Sequence, residues 1–164
     1  MPVRTILYPG SFDPVTVGHV QIALRACGLF DRVIVGVLHN PAKAGGALSV
    51  SQRLELLHDA FAGAEKIEIA AFSGLLVEAA RACGACAVLR GVRSEADAAL
   101  ELQMARVNRH LSGIETVFLA SSPETVAISS SIAREVARFG GSLAGIVPQA
   151  AQEKAERWLA ARDI

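Results

Sequence analysis

The chain lacks most of what would send a protein to a membrane, to nucleic acid or to an oxidising compartment. No apolar run reaches the roughly 18 residues that cross a bilayer. The opening MPVRTILYPG has no apolar core of a signal peptide, so export is not expected. There is no basic excess: 16 Lys and Arg are cancelled by 16 Asp and Glu. That argues against a protein that coats nucleic acid, while leaving room for a local basic pocket. Cysteine is scarce and odd in number, with 3 in 164 residues, which reads as free thiols in a reducing, cytoplasmic setting. Cys83-Gly-Ala-Cys86 has the C-x-x-C spacing. It has neither a second ligand pair for zinc nor a thioredoxin-like context, so two small buried side chains between a helix and a strand are expected. The chain also has no G-x-x-x-x-G-K-[ST] phosphate loop, no G-x-G-x-x-G, no G-x-S-x-G elbow and no D-x-D pair. Repeats, low-complexity tracts and linkers are missing too, and a single domain over residues 1–164 is expected.

What is present is apolar: 52% of residues. Short apolar runs recur at Val3–Tyr8, Arg32–Leu38, Lys66–Phe72, Ala87–Val92 and Glu115–Ala120. Runs such as VIVGVL and AVLRGV show no polar alternation, as in parallel strands covered on both faces. The segments between them carry helical patterns: His19–Leu29, a helix opened by Ser49-Val-Ser-Gln52 at capping-box spacing, Leu75–Cys83, and Ser94–Leu111 with Gly113 as its stop. Ser129–Phe139 and a last helix over 148–162, anchored by Trp158, complete the set. Strict alternation predicts an α/β fold, a doubly wound Rossmann-like five-stranded parallel sheet with helices on both faces.

Such sheets bind ligands at the carboxyl ends of their strands. There the sequence places Tyr8-Pro-Gly-Ser, Asn40-Pro-Ala-Lys43, Phe72-Ser-Gly-Leu, Arg90-Gly-Val-Arg93 and Ile128-Ser-Ser-Ser131. The loop Asn40–Leu48, with Gly45-Gly46, is long for its place and is expected to be a mobile functional loop. In YPGSFDPVTVGH, Gly10 and Gly18 are expected to let a ligand approach the backbone, and Pro14 to fix the turn. His19 falls in the first turn of a helix, where free N–H groups and the dipole favour phosphate. From these residues alone, a glycine-rich turn with a capping histidine is an open alternative.

Thr16-Val-Gly-His19 resembles the [HT]-x-G-H motif of a nucleotidyltransferase superfamily. Ile128-Ser-Ser-Ser-Ile-Ala-Arg134-Glu135 resembles its second signature. Asn40–Lys43, Phe72–Leu76, Leu89–Arg93 and Met104–Leu111 narrow the resemblance to the bacterial phosphopantetheine adenylyltransferases. The resemblance implies direct transfer of the adenylyl group of ATP to 4′-phosphopantetheine, giving dephospho-coenzyme A and pyrophosphate, with Mg²⁺ and no covalent enzyme intermediate. It further implies a cytoplasmic homohexamer, coenzyme A as a possible inhibitor, and neither nucleic acid nor membrane as partner.

By that resemblance His19, Lys43, Arg93 and Ser11 are catalytic. ATP is contacted by Ser11, Phe12, His19, Gly91, Val92, Arg93, Glu101, Thr125, Val126, Ala127, Ile128, Ser129, Ser130 and Ser131. The acceptor is held by Ser11, Lys43, Leu76, Arg90 and Asn108, and no residue is assigned to the metal, which would ride on the phosphates. His39, His58 and His110 receive no catalytic role; His58 is expected on a helix surface or at an interface. Val17, Thr125 and Arg134 depart from the family's usual residues and bear on nucleotide affinity. Two other readings are weighed: a superfamily member acting on nicotinate mononucleotide or using CTP with a polyol phosphate, and a module that binds nucleotide without turnover.

Overall fold

The computed structural model describes residues 3–39 and 46–161. Strands and helices alternate: β1 (Thr5–Gly10), α1 (Val17–Ala26), β2 (Arg32–His39), α2 (Val50–Ala60), β3 (Ile67–Ser73), α3 (Leu76–Ala82), β4 (Ala87–Val92), α4 (Glu95–Ser112) and β5 (Glu115–Ala120). Then come α5 (Ser130–Arg138) and α6 (Gln149–Ala160). All strand pairs are parallel, in the order β3-β2-β1-β4-β5. The winding reverses between β1 and β4, which makes that gap the switch point where this architecture opens a crevice.

The missing polar alternation has its cause in two cores. Ile6 and Tyr8 of β1, Val33, Val35 and Val37 of β2, and Ala87 and Leu89 of β4 face the larger core, shared with α1, α2, α5 and α6. The residues between them, Leu7, Ile34 and Val88, face a smaller core under Ala79 and Ala80 of α3. Since successive strand residues point to opposite faces, all of them must be apolar.

Local signals set the element ends. Ser49 and Gln52 form the expected capping box, and Gly113 ends α4 in the left-handed conformation (φ 76°). Ser94 and Ser129 cap α4 and α5 from outside, accepting from the N–H groups of Asp97 and Ile132. α6 packs on α2 and α5. Lys154 reaches Glu55 (2.6 Å) and Asp59 (2.8 Å) of α2, and the half-buried Trp158 packs against the larger core.

Two expectations are corrected. The first strand runs through Pro9 and Gly10 rather than stopping at Tyr8, because β1 stays paired with β2 up to Gly10↔Val37. Its ladder with β4 covers only Ile6 and Leu7. The Pro9 carbonyl receives Arg90 across the gap, and a strand residue's nitrogen points the same way as its carbonyl. Proline's missing N–H therefore falls where no ladder needs it. Second, Cys83 and Cys86 do lie between α3 and β4, but Cys83 is only half-buried and Cys86 is exposed. The turn that carries them sits outside the sheet, with Gly84 at φ 66°.

Candidate active site

Where β1 and β4 diverge, a cleft of about 350 Å³ opens at their carboxyl ends. Its floor is the turn after β1. Phe12 adopts a positive φ of 46° and drives its ring into the core, where it is 1% exposed. A Cβ on Gly10 would lie 2.9 Å from that ring. Gly10 is therefore glycine to admit Phe12, and it also lines the cleft as expected. Asp13 and Arg53 form a buried pair below, 3.6 Å apart. Asp13 also accepts the N–H groups of Ala47 (2.7 Å) and Leu48 (2.8 Å), and Arg53 donates to the carbonyls of Leu48 and Ser11. The turn under the cleft is thereby tied to the start of α2.

α1 begins at this floor. Thr16 is its N-cap, and the third helical residue, His19, returns the capping contact with its ring. The Thr16 N–H donates to His19 Nδ1 at 3.0 Å. A nitrogen that accepts carries no hydrogen, so neutral His19 holds its proton on Nε2. Burial, then the charges of Arg93 and Arg90, lower its pKa to about 4. At neutral pH His19 is thus an uncharged donor of fixed tautomer on the cleft wall. The cap thus occupies one ring nitrogen, Nδ1, and leaves Nε2–H for the cleft that His19 lines.

β4 supplies the cations. Arg90 donates to Glu101 at 2.6 and 2.5 Å and to the Pro9 carbonyl at 3.0 Å. Arg93 pairs with Asp97 at 2.8 Å. The two carboxylates stand one turn apart on α4. The anions expected to make a strand-end arginine pair tolerable are here protein carboxylates. Glu101 therefore faces Arg90 rather than open solvent.

Opposite, α5 brings its N-terminus to the cleft. Ser130 donates to the Pro14 carbonyl (2.8 Å), and Arg134 donates to the Asp13 carbonyl (2.6 Å) and to Ser131 Oγ (3.2 Å). The serine hydroxyls thus knit the wall, and the first-turn N–H groups of Ser130 and Ser131 are left for an anion. Thr125, 9% exposed, donates to Gln21 of α1 at 3.1 Å.

A second, more apolar cavity of about 300 Å³ lies between α3 and α4, lined by Leu76, Met104, Val107, Asn108 and Leu111 among others. Arg90 and Glu101 line both cavities and form the wall between them.

Most expected residues gather as anticipated. Ser11, Phe12, His19, Gly91, Arg93, Glu101, Thr125, Ile128 and Ser129 to Ser131 line the first cavity, and Leu76 and Asn108 the second. Val92, at the end of β4, and Val126 and Ala127, exposed before α5, line neither. Lys43, with Asn40–Gly45, lies outside the described residues. Sequence reasoning missed Asp97 as a cleft residue, and it placed Tyr8 at the strand end without giving it a role. Asp97 had a signal in its spacing of four from Arg93, whereas Tyr8 looked like any strand residue.

Residues 7–136 match the cytidylyltransferase-like family. Over 153 residues the chain is 44% identical to a phosphopantetheine adenylyltransferase of Caldanaerobacter subterraneus subsp. tengcongensis, covering 93% of this chain and 95% of that protein. The chain belongs to the phosphopantetheine adenylyltransferase family. Within that family's pattern, the departures have local explanations here. Thr125 places a buried hydroxyl against Gln21 of α1, and Arg134 gives one guanidinium nitrogen to the Asp13 carbonyl and another to Ser131 Oγ.

Proposed function

We propose that this chain transfers the adenylyl group of ATP to 4′-phosphopantetheine, giving dephospho-coenzyme A and pyrophosphate. The observation that carries the reading is the pair of cavities sharing Arg90 and Glu101 as a wall. One is polar and lined by cations and hydroxyls, suited to a nucleotide; the other is apolar and narrow, suited to a pantetheine arm.

In this reading an oxygen of the acceptor phosphate attacks the α-phosphorus, a new P–O bond forms, and the bond to the β-phosphate bridge breaks with pyrophosphate leaving. No protein nucleophile is needed. The protein's part is alignment and charge stabilisation. His19 Nε2–H donates to the α-phosphate, where negative charge gathers. Arg93 and the N-terminus of α5 hold the β- and γ-phosphates, and Arg90 holds the acceptor phosphate. Mg²⁺, when bound, would neutralise charge on the triphosphate. The two carboxylates at the cleft, Asp97 and Glu101, are both engaged by arginine. Among the described residues no three His, Cys, Asp or Glu side chains lie together. This donor set fits a metal that arrives on the phosphates with its waters.

The same reading extends to a cytoplasmic homohexamer. α4 buries only Asn108 and exposes Leu100, Leu102, Met104, Val107 and Leu111 beside the edge strand β5, a face suited to further copies. Coenzyme A, which carries both a pantetheine arm and an adenylate, would span both cavities and compete with both substrates. Among the described residues no helix is long and apolar enough to cross a membrane.

The test is pyrophosphate release from ATP and Mg²⁺, with and without 4′-phosphopantetheine, for the wild type and His19→Ala. Release that requires the acceptor and falls about 100-fold or more in the variant supports the reading. Release with nicotinate mononucleotide instead would overturn the substrate, and nucleotide binding without release for any acceptor would overturn the enzyme.

A further inference from the structure

One polar group in the cleft has no part in the roles above. Tyr8 lies on β1 and is only 5% exposed. Its ring packs edge-on against Phe12, with centroids 5.6 Å apart, and tilts against His19 at 6.4 Å. Its hydroxyl lies at the floor of the cleft, where a side chain on Gly91 would come within 3.8 Å of it. Among the described residues it has no hydrogen-bond partner. The hydroxyl is thus committed to no protein neighbour and is open to the cleft. Its neighbours Ile6 and Leu7 are buried and wholly apolar, so the packing of this strand does not itself call for a hydroxyl. Burial holds the phenol protonated well above its ordinary range, and Arg90 is the strongest of the charges acting on it, ahead of Arg93 and Glu101. The group is therefore a neutral donor in the first cavity, which Arg90 also lines.

We propose that the Tyr8 hydroxyl is a further catalytic residue, donating a hydrogen bond to the phosphate of the acceptor substrate where Arg90 holds it. The assignment rests on the reading of Arg90 given under the proposed function. A tyrosine supplies there what a third cation would not. It adds a directed donor without deepening the positive potential that already keeps His19 neutral.

Tyr8 is the only tyrosine in the chain, so ¹³C at the phenol Cζ gives a single resonance in the wild-type protein. Calorimetry with 4′-phosphopantetheine is run on the same labelled sample. Binding accompanied by a shift of that resonance, with no shift on adding pantetheine that lacks the phosphate, is the expected result. In kinetics, Tyr8→Phe, which keeps the ring packing, raises KM for 4′-phosphopantetheine by roughly 10- to 100-fold, the range of a hydrogen bond to a charged group. KM for ATP stays within about twofold. Binding of 4′-phosphopantetheine without a shift, or a shift produced by ATP and Mg²⁺ alone, overturns the assignment and leaves the reading of the site intact. No binding of 4′-phosphopantetheine at all overturns that reading, and the assignment with it.

Discussion

Replacing His19 by glutamine separates its two duties. Glutamine can keep the cap: in α2 of this same chain Gln52 stands at the equivalent third position and accepts the Ser49 N–H at 2.9 Å. It cannot titrate. The pKa of His19 falls from 6.5 to about 4 on folding, through burial first and then Arg93 and Arg90. Below pH 6.5 the unfolded chain takes up a proton that the native ring refuses. The stability this ring contributes is therefore complete above that value, and it is lost as the pH falls toward about 4. Between about pH 7.5 and about pH 5 the loss integrates to about 2 kcal/mol. Urea unfolding at both pH values, for wild type and His19→Gln, reads the effect as a difference of differences. Carboxylates that also titrate, such as Glu156 and Glu68, are shared by both proteins and cancel. Wild type is expected to lose about 2 kcal/mol more than the variant on acidification. Parallel losses in the two proteins would refute the claim that His19 is held neutral by its surroundings.

Other substitutions probe the floor and the second cavity. Gly10→Ala puts a methyl 2.9 Å from the buried Phe12 ring, and should cost about 1–3 kcal/mol by overpacking; an unchanged melting temperature would show that the ring can move. Arg53→Met strands the Asp13 carboxylate, whose side chain is 8% exposed, and should destabilise by about 3–5 kcal/mol in denaturant unfolding. An unshifted midpoint would mean that the two backbone N–H groups alone satisfy Asp13. Asn108→Leu should raise KM for 4′-phosphopantetheine by about tenfold and leave that for ATP unchanged; equal effects on both substrates would put the amide outside the acceptor cavity.

The strands were legible because a parallel sheet with two cores demands apolar residues on both faces, and VIVGVL or AVLRGV satisfy nothing else. Pro9 and Gly10 read as a turn because proline and glycine usually are one. Only the pairing pattern, six residues with β2 and two with β4, shows a strand that continues along one neighbour after leaving the other. The cations of the site were legible because arginine at a strand end needs a reason. Tyr8 was not, since its chemistry depends on which way its hydroxyl opens. Arg134 stood out only as a departure from the family, and its bonds to Asp13 and Ser131 follow from a tertiary fit that no local pattern encodes.

The cleft carries three guanidinium groups, Arg90, Arg93 and Arg134, against the carboxylates of Asp97 and Glu101, so a chain of zero net charge keeps a locally basic site. Arg90 and Arg93 lie three residues apart at the end of β4, and Glu101 and Asp97 lie four apart on α4, so each guanidinium finds one carboxylate. An empty cleft with two bare, half-buried guanidinium groups would be destabilised by their lost hydration. The carboxylates remove that penalty in the free protein. The Arg93 pair is the more exposed of the two, with Arg93 44% and Arg90 33% exposed. On the proposed function, a phosphate, with more acceptor oxygens and more charge, would displace a carboxylate rather than fill a void. The difference between the two pairings, not the full strength of either, sets affinity. Because Glu101 borders both cavities, drawing Arg90 toward a phosphate in one leaves an unpaired acceptor at the edge of the other. On the proposed function, the Arg90–Glu101 ion pair would link the two halves of the site, so that each substrate would meet a wall altered by the other.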